Sequence, residues 1–376
     1  MSVLESIAQR SQALFQKIHW GATNTRTYLV LPPERVENGN QLGAVFESGK
    51  HYFRVHINEM FLANSREFAT TYDPVVFAAT EFVYDRETKS VPKVIGPNLL
   101  SEYKHDLPDN LRYLNTPVSG LHPYAGGDLV IILILYRAKR ADHLRNLLNI
   151  VDGVVSAIDP STALQNYMKM ANVILDGINL ILGAGETDPI LGIRDHISST
   201  GMGMRLEPGY RALIHAPENE IRPDKLWVRE NRLCVGDSMA SAEPYRAHDF
   251  VLYSLAQTSQ RDDVSILPFY PHWQHAQEQA IKLAGWEDAK ATFQVLWREL
   301  IYSPDLTQPQ KEALRQFYKT ELTTLRTQAK ELEQMGAEPQ RGAEPQRGAE
   351  TMRGAKRLGG SDDILQEVNA MLRELD

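Results

Sequence analysis

"GDLVIILILYRAK", residues 127–139, contains the longest unbroken apolar run of this sequence and decides its fold class. The run itself, "LVIILILY" (129–136), is too short for a transmembrane helix, which needs about 20 residues. β-branched and other aliphatic residues fill it without polar alternation. We therefore predict a central strand that is covered on both faces.

Shorter β-type runs lie on both sides of this strand in the sequence. In "KHYFRVHINEMFLA" (50–63), Phe53, Val55 and Ile57 alternate with more polar residues, which is the period of a half-buried strand. "VYDRETKSV" (83–91) predicts a hairpin turn. A second β-rich stretch, about 202–270, contains another turn at Glu230-Asn231 and no alternating helices, which disfavours a doubly wound parallel sheet.

Two helical regions complete the pattern. Two apolar segments over 141–182 predict a buried helical hairpin packed on the central strand. A hairpin that inserts into a membrane is the alternative, although Asp152, Lys169 and Asp176 interrupt its apolar surface. Further along, residues 275–303 and 307–335 predict two helices, the second with Pro309 just inside its start.

The fold class that these patterns indicate is α+β, with an antiparallel β-rich body of sandwich or barrel type. Periodicity alone does not choose between sandwich and barrel. We divide the chain into a β-rich domain with the helical hairpin (1–185), a second β-rich region (186–270), a helical region (271–335), a repeat linker (336–360) and a short amphipathic helix (361–376).

Composition limits the class of protein. The chain has 376 residues of which 43% are hydrophobic, enough for a sizeable core. A formal net charge of -8 argues against a nucleic-acid partner. The single cysteine, Cys234, excludes an intramolecular disulfide, and we expect it to be a buried strand residue in a soluble, cytoplasmic protein. No motif indicates a cofactor.

The repeat linker is named for its sequence, because "GAEPQR" occurs at 336–341 and again at 342–347, followed by the degenerate copy "GAETMR". Each complete unit contains glycine and proline and little apolar surface, which predicts a disordered segment. A flexible chain of this length would span on the order of 25 to 30 Å.

The docking segment, residues 361–376, differs from the repeat linker because its sequence predicts an amphipathic helix. Ser361 is a good N-cap and no glycine or proline follows it. Five acidic residues and one arginine give the segment a charge of -4. A partner groove should therefore be apolar with a basic rim, although the protein's own body and a second copy are alternative docking surfaces. The apolar residues that would contact the partner form one stripe: Ile364, Leu365, Val368, Met371, Leu372 and Leu375.

Catalytic motifs are sparse. "VGDSMAS" (235–241) is similar to the nucleophile block of SGNH-type esterases, and this resemblance implies Ser238 as nucleophile, with His248 as a candidate base. The resemblance covers these few residues only, and no Asp-x-x-His pair follows. His272 and His275 have helical metal-ligand spacing without a third ligand fixed by a motif, so we expect a helix surface there and no metal site.

These observations predict a non-enzymatic interaction or adaptor protein whose docking segment recruits a partner protein. The alternatives are a serine hydrolase that uses Ser238, and a membrane-interacting protein that uses the apolar segments at 141–182. The sequence does not indicate the oligomeric state.

Overall fold

The computed structural model of the chain describes residues 25–96, 111–139, 187–198 and 206–334, together with Gln9, Ala13 and Gln16. All the strands and helices given below lie within these residues. The chain divides into two units, Met1–Arg261 and Asp262–Asp376.

Three predicted segments lie outside the described residues: the helical hairpin at 141–182, the repeat linker and the docking segment. Their expected structures therefore stay predictions. Among the residues that are described, no helix is both long enough and apolar enough to cross a membrane.

The first unit is built from antiparallel strands. In chain order they are β1 (Thr27–Leu31), β2 (Tyr52–Phe61), β3 (Arg66–Glu67), β4 (Thr70–Tyr84), β5 (Glu87–Ile95), β6 (Leu111–Pro117), β7 (His122–Pro123), β8 (Leu129–Lys139), β9 (Thr187–Ile197), β10 (Gly209–Ile214), β11 (Leu226–Arg229), β12 (Arg232–Val235), β13 (Glu243–Pro244) and β14 (Phe250–Thr258).

These strands form three sheets. The front sheet has the order β1-β10-β14-β2-β6, with β7 beside β2. In the back sheet, β4 pairs with β3, β5 and β8, and β8 also pairs with β9. The small sheet has the order β11-β12-β13. All these pairings are antiparallel, which confirms the predicted α+β class. The front sheet takes strands from both sides of residue 186, where the sequence analysis divides the two β-rich regions.

The main core lies between the front and back sheets. Phe53, Val55 and Ile57 of β2 are all buried in it, as the alternation predicts. Phe53 meets Phe82 of the back sheet with their ring centroids 5.0 Å apart. Strand β8 is buried at every residue from Leu129 to Tyr136, which confirms its central, doubly covered position. Full burial of each large aliphatic side chain contributes about 1.5 to 3 kcal/mol.

A β-bulge at Asn58 reverses the alternation of β2. The pairing with β14 passes from Leu252 and Glu59 to Tyr253 and Ile57, so Asn58 has no partner in that register. Ile57 consequently faces the main core, whereas Glu59, two residues further on, faces the opposite side. On that side the front sheet packs against the small sheet. The side chains of this second core include Phe61, Phe250 and Leu252 of the front sheet and Leu226, Val228 and Leu233 of the small sheet.

Three helices follow in the described part of the second unit: α1 (Tyr270–Ala280), α2 (Trp286–Tyr302) and α3 (Gln308–Gln334). The prediction of one helix over 275–303 was wrong, because the chain turns at Leu283–Gly285. A Cβ atom at Gly285 would lie 2.5 Å from the backbone oxygen of Gln279, so the turn brings the two backbones close together. The core formed by the three helices is rich in aromatic residues: Trp273, Trp286, Phe293, Trp297 and Tyr318.

Two cation–π contacts link α2 to α3. The guanidinium of Arg315 lies 4.2 Å from the ring centroid of Trp297, and that of Arg326 lies 5.2 Å from the ring centroid of Trp286. The two tryptophans are eleven residues apart on α2, and so are the two arginines on α3. Eleven residues make about three helical turns, so both contacts recur on one face of each antiparallel helix.

Candidate functional site

Ser238 lies in the exposed loop between β12 and β13. Its Oγ is 2.9 Å from the Oγ of Ser241. The ring of His248 is engaged elsewhere, with Nδ1 2.7 Å from the Tyr245 hydroxyl and Nε2 3.3 Å from the Glu220 carboxylate. In the described part of the chain, no hydrogen bond joins Ser238 to His248. The geometry thus gives Ser238 no aligned base, which a nucleophilic serine needs.

The two histidines at the start of α1 do not assemble a metal site. His272 Nε2 lies 3.3 Å from the Glu299 carboxylate of α2, and His275 is exposed. Within the stretches that the structure describes, no group of three or more His, Cys, Asp or Glu side chains could hold a metal ion. His272 therefore contributes a contact between the two helices.

Cys234 is buried in β12, as expected from its apolar neighbours. Burial raises the pKa of its thiol above the ordinary value. Because the thiolate is the reactive form, this environment suits a packing residue rather than a nucleophile.

The six stripe residues of the docking segment, from Ile364 to Leu375, lie outside the described residues. Their contacts are therefore open to experiment.

Glu59 is a fully buried carboxylate between the front sheet and the small sheet. The backbone N–H of Leu233 in β12 donates to its Oε2 at 2.7 Å, and Arg246 Nη1 donates to its Oε1 at 3.0 Å. The Arg246 guanidinium in turn lies 4.9 Å from the ring centroid of Phe61. This cluster joins the small sheet to the front sheet through polar contacts within an apolar surround.

The environment of Glu59 opposes its ionisation. Burial raises the pKa of this carboxyl to about 7, although the Leu233 N–H and the Arg246 charge act in the other direction. Desolvation disfavours the charged form more than these two donors favour it. Glu59 is therefore a group that changes charge near neutral pH inside the protein.

A second polar cluster lies in the main core, centred on Asp195 of β9. The hydroxyls of Tyr28 and Tyr253 donate to its Oδ2 at 2.9 and 2.8 Å, and Arg211 Nε lies 3.6 Å from the same oxygen. Burial raises the pKa values of both tyrosines, so they remain protonated donors. The donors come from the front sheet and Asp195 belongs to the back sheet, so the cluster joins the two sheets.

His122 occupies an aromatic cluster at the end of β2. Its ring stacks on Phe82 with the centroids 4.7 Å apart and meets Phe53 at 5.9 Å. Neither ring nitrogen has a hydrogen-bond partner in the described structure. Burial, followed by the charges of Arg261 and Arg54, lowers the pKa of His122 to about 3. The ring is therefore neutral at physiological pH and packs as an aromatic side chain.

Sequence reasoning missed all three clusters. Glu59 carried a usable signal, since "INEMF" (57–61) places one carboxylate among apolar residues of a strand. Asp195 and His122 carried none, because their partners come from strands far away in the sequence. Within the described residues, the buried polar groups at these three places contact structural neighbours and form no pair of nucleophile and base.

Comparison of the chain with protein-family models, with curated proteins and with solved structures finds no match.

Proposed function

We propose that this chain is a non-enzymatic interaction protein that recruits a partner protein through its docking segment, residues 361–376. The observation that carries the proposal is the order of parts along the chain. Helix α3 ends at Gln334, the repeats begin at Gly336, and the amphipathic segment follows them. A short amphipathic helix on a long tether is the helix-in-groove mode of recognition.

The chemistry of the docking segment defines the partner. Its apolar stripe requires an apolar groove, and its charge of -4 favours lysine or arginine at the groove rim. An isolated helix of about 15 residues is marginal in water, so the segment gains its helical structure on binding. The folded units then act as the body that the segment attaches to the assembly.

The test compares two variants that add the same charge. Leu372→Asp places a carboxylate in the apolar stripe, whereas Ala370→Asp places one on the opposite side of the helix. We expect Leu372→Asp to lose a partner in pull-downs of the full chain and Ala370→Asp to retain it. Burial of a leucine contributes about 1.5 to 3 kcal/mol, so the loss should be roughly tenfold or more.

Deletion of residues 361–376 separates recruitment from docking on the body. If the partners stay unchanged in the deletion and in Leu372→Asp, the recruitment proposal is wrong. If the deletion instead lowers the unfolding temperature of the body, the segment docks on the protein itself.

A further inference from the structure

The back sheet has an apolar face that points away from the front sheet. Phe82 of β4 meets Phe53 of the front sheet, so Ala78 and Phe82 face the main core, whereas Phe77 and Ala79 face the other way. We call this other side the outer face. The pairings of β4 with β5 and β8 give its apolar side chains: Val75, Phe77, Ala79, Val94, Ile132 and Ile134.

Strand β9 supports the same assignment of faces. Asp195 accepts hydrogen bonds from the front sheet, and it pairs with Ile131 of β8. Residues that pair in register lie on the same face of a sheet, so Ile131 faces the main core. Its neighbour Ile132 therefore belongs to the outer face.

The outer face is buried although no described sheet lies on it. Ala79 and Ile132 are 0% exposed, and Phe77 and Ile134 are 1% exposed. The front sheet packs on the opposite side, and the small sheet packs on the far side of the front sheet. These exposures are those of the single chain, so the side chains that cover the outer face belong to the chain itself.

The ends of β8 and β9 indicate which segment covers the outer face. Strand β8 ends at Lys139, β9 begins at Thr187, and Ala138 pairs with Thr187. Residues 140–186 therefore leave and rejoin the back sheet at the same end. One helix across the face would finish at the opposite end, whereas two antiparallel helices return the chain to its start. The two helices predicted over 141–182 satisfy this condition.

The predicted helices also match the outer face in size. A helix of about 18 residues is about 27 Å long, and the 11 residues of β8 span about 36 Å. Two helices side by side are about 20 Å wide, which corresponds to about four strands at a spacing of about 4.8 Å. The pair is therefore large enough to bury the apolar centre of the face.

We propose that residues 140–186 cover the outer face of the back sheet, with the apolar residues of the two predicted helices packed on β4 and β8. The sequence leaves a membrane-inserting hairpin open as an alternative. One apolar surface cannot pack on the sheet and enter a bilayer at the same time, so the proposed arrangement opposes that alternative. Insertion would also bring Asp152, Lys169 and Asp176 into the bilayer, which is unfavourable.

Other undescribed stretches of the chain fit the outer face less well. Residues 1–24 lead into β1 at the edge of the front sheet, and residues 97–110 and 199–205 connect the back sheet to the front sheet. None of these stretches begins and ends at the back sheet. The docking segment predicts one helix about 10 Å wide, which is too narrow for a face of four strands. Recruitment through this segment is thus a separate proposal.

The first experiment identifies the cover by cross-linking within the full chain. The photoreactive residue p-azidophenylalanine replaces Phe77 on the outer face or, as a matched control, Phe82 on the core side of the same strand. We expect a cross-link from position 77 to residues 140–186 and one from position 82 to β2, where Phe53 lies. A mixture of isotope-labelled and unlabelled protein separates cross-links within one chain from those between copies.

A cross-link from position 77 to another part of the chain or to a second copy would overturn the proposal, and so would the absence of any cross-link. A cross-link to residues 361–376 would in addition show that the docking segment binds the protein itself. A cross-link to residues 140–186 leaves recruitment by the docking segment to its own test.

The second experiment measures whether the outer face stays covered when lipid is present. In a full chain with Cys234→Ala, Ala79→Cys places a thiol on the outer face and Ala78→Cys places one on the core side; both alanines are 0% exposed. Both thiols should react with maleimide roughly tenfold or more slowly than Glu218→Cys, because a buried thiol reacts through local opening.

Vesicles of phosphatidylcholine and phosphatidylglycerol should leave both slow rates within about twofold of their values without lipid. Fast reaction of Ala79→Cys beside a slow Ala78→Cys would mean that the outer face is open. Acceleration of Ala79→Cys by vesicles would mean that the segment leaves the sheet for lipid. Either result would overturn the proposal, and Ala78→Cys shows in each case whether the two sheets remain packed.

Discussion

Glu59 and His122 are buried titratable residues whose pKa values are displaced in opposite directions. Burial raises the pKa of Glu59 to about 7 and lowers the pKa of His122 to about 3. Both displacements favour the neutral side chain, as expected when desolvation dominates. The two displaced pKa values make the free energy of unfolding depend on pH with opposite signs. Each displacement can therefore be tested by replacing the residue with one that does not titrate.

Replacement of Glu59 with glutamine should reduce the decrease in the free energy of unfolding that wild type shows at alkaline pH. The pKa is higher in the folded state, so the stabilising contribution is full below about pH 4.5 and is lost as the pH rises through about 7. Relative to Glu59→Gln, wild type should therefore lose up to about 3 kcal/mol of stability between pH 4 and pH 9. Denaturant unfolding of both proteins at several pH values measures this difference.

The matched control for Glu59 is Glu218→Gln, at an exposed position of the same unit. It measures how far removal of a surface carboxylate alone changes the pH dependence of stability. A profile for Glu59→Gln that runs parallel to that of wild type would contradict the raised pKa and would indicate a carboxylate that stays ionised beside Arg246.

Replacement of His122 with phenylalanine should protect the protein from acid. The pKa of His122 is lower in the folded state, so its contribution is full above about pH 6.5 and is lost as the pH falls towards 3. Wild type should lose about 3 kcal/mol from this residue between pH 6.5 and pH 4, and the variant should not. At pH 7 the variant should be at least as stable as wild type, since it removes two buried nitrogens without hydrogen-bond partners.

At the scale of elements, the two cation–π contacts between α2 and α3 should differ in strength. Arg315 is buried on Trp297, whereas Arg326 is only partly buried on Trp286. We expect Arg315→Ala to lower the free energy of unfolding by about 2 kcal/mol and Arg326→Ala by about 1 kcal/mol. Lys330→Ala, at an exposed position of α3, is the control. Equal small losses for all three variants in denaturant unfolding would show that the contacts do not stabilise the helix pair.

Elements set by local chemistry were predictable from the sequence. The central position of β8 followed from an apolar run without alternation. Both predicted hairpin turns are confirmed, since Asp85-Arg86 and Glu230-Asn231 each join paired strands with positive φ at both residues. Such turns are encoded by the few residues that form them.

Elements set by distant partners were not predictable. Continued alternation from Phe53 through Ile57 would place Glu59 in the main core, but the bulge at Asn58 turns it towards the small sheet. That bulge depends on the register with β14, which lies about 190 residues away in the sequence.

At the scale of the whole molecule, the two units and the docking segment have different roles in the proposed function. Buried clusters such as those of Glu59 and Asp195 join strands of the first unit, and the Trp–Arg contacts join helices of the second. Neither set of contacts requires the residues beyond Gln334. We therefore expect recognition by residues 361–376 to be separable from the stability of both units.

The repeat linker should set the reach of the docking segment and not its affinity. A tether supplies reach and makes no contact with the partner, so its length should not change the affinity of the docking segment for a single partner. Deletion of both complete repeats, residues 336–347, should leave that affinity within about twofold of wild type, as should replacement of these residues by a glycine-serine chain of equal length. Titration of a purified partner with both variants measures the effect. A loss of roughly tenfold in both would mean that the repeats contact the partner, and a loss in the deletion alone would mean that binding requires their full reach.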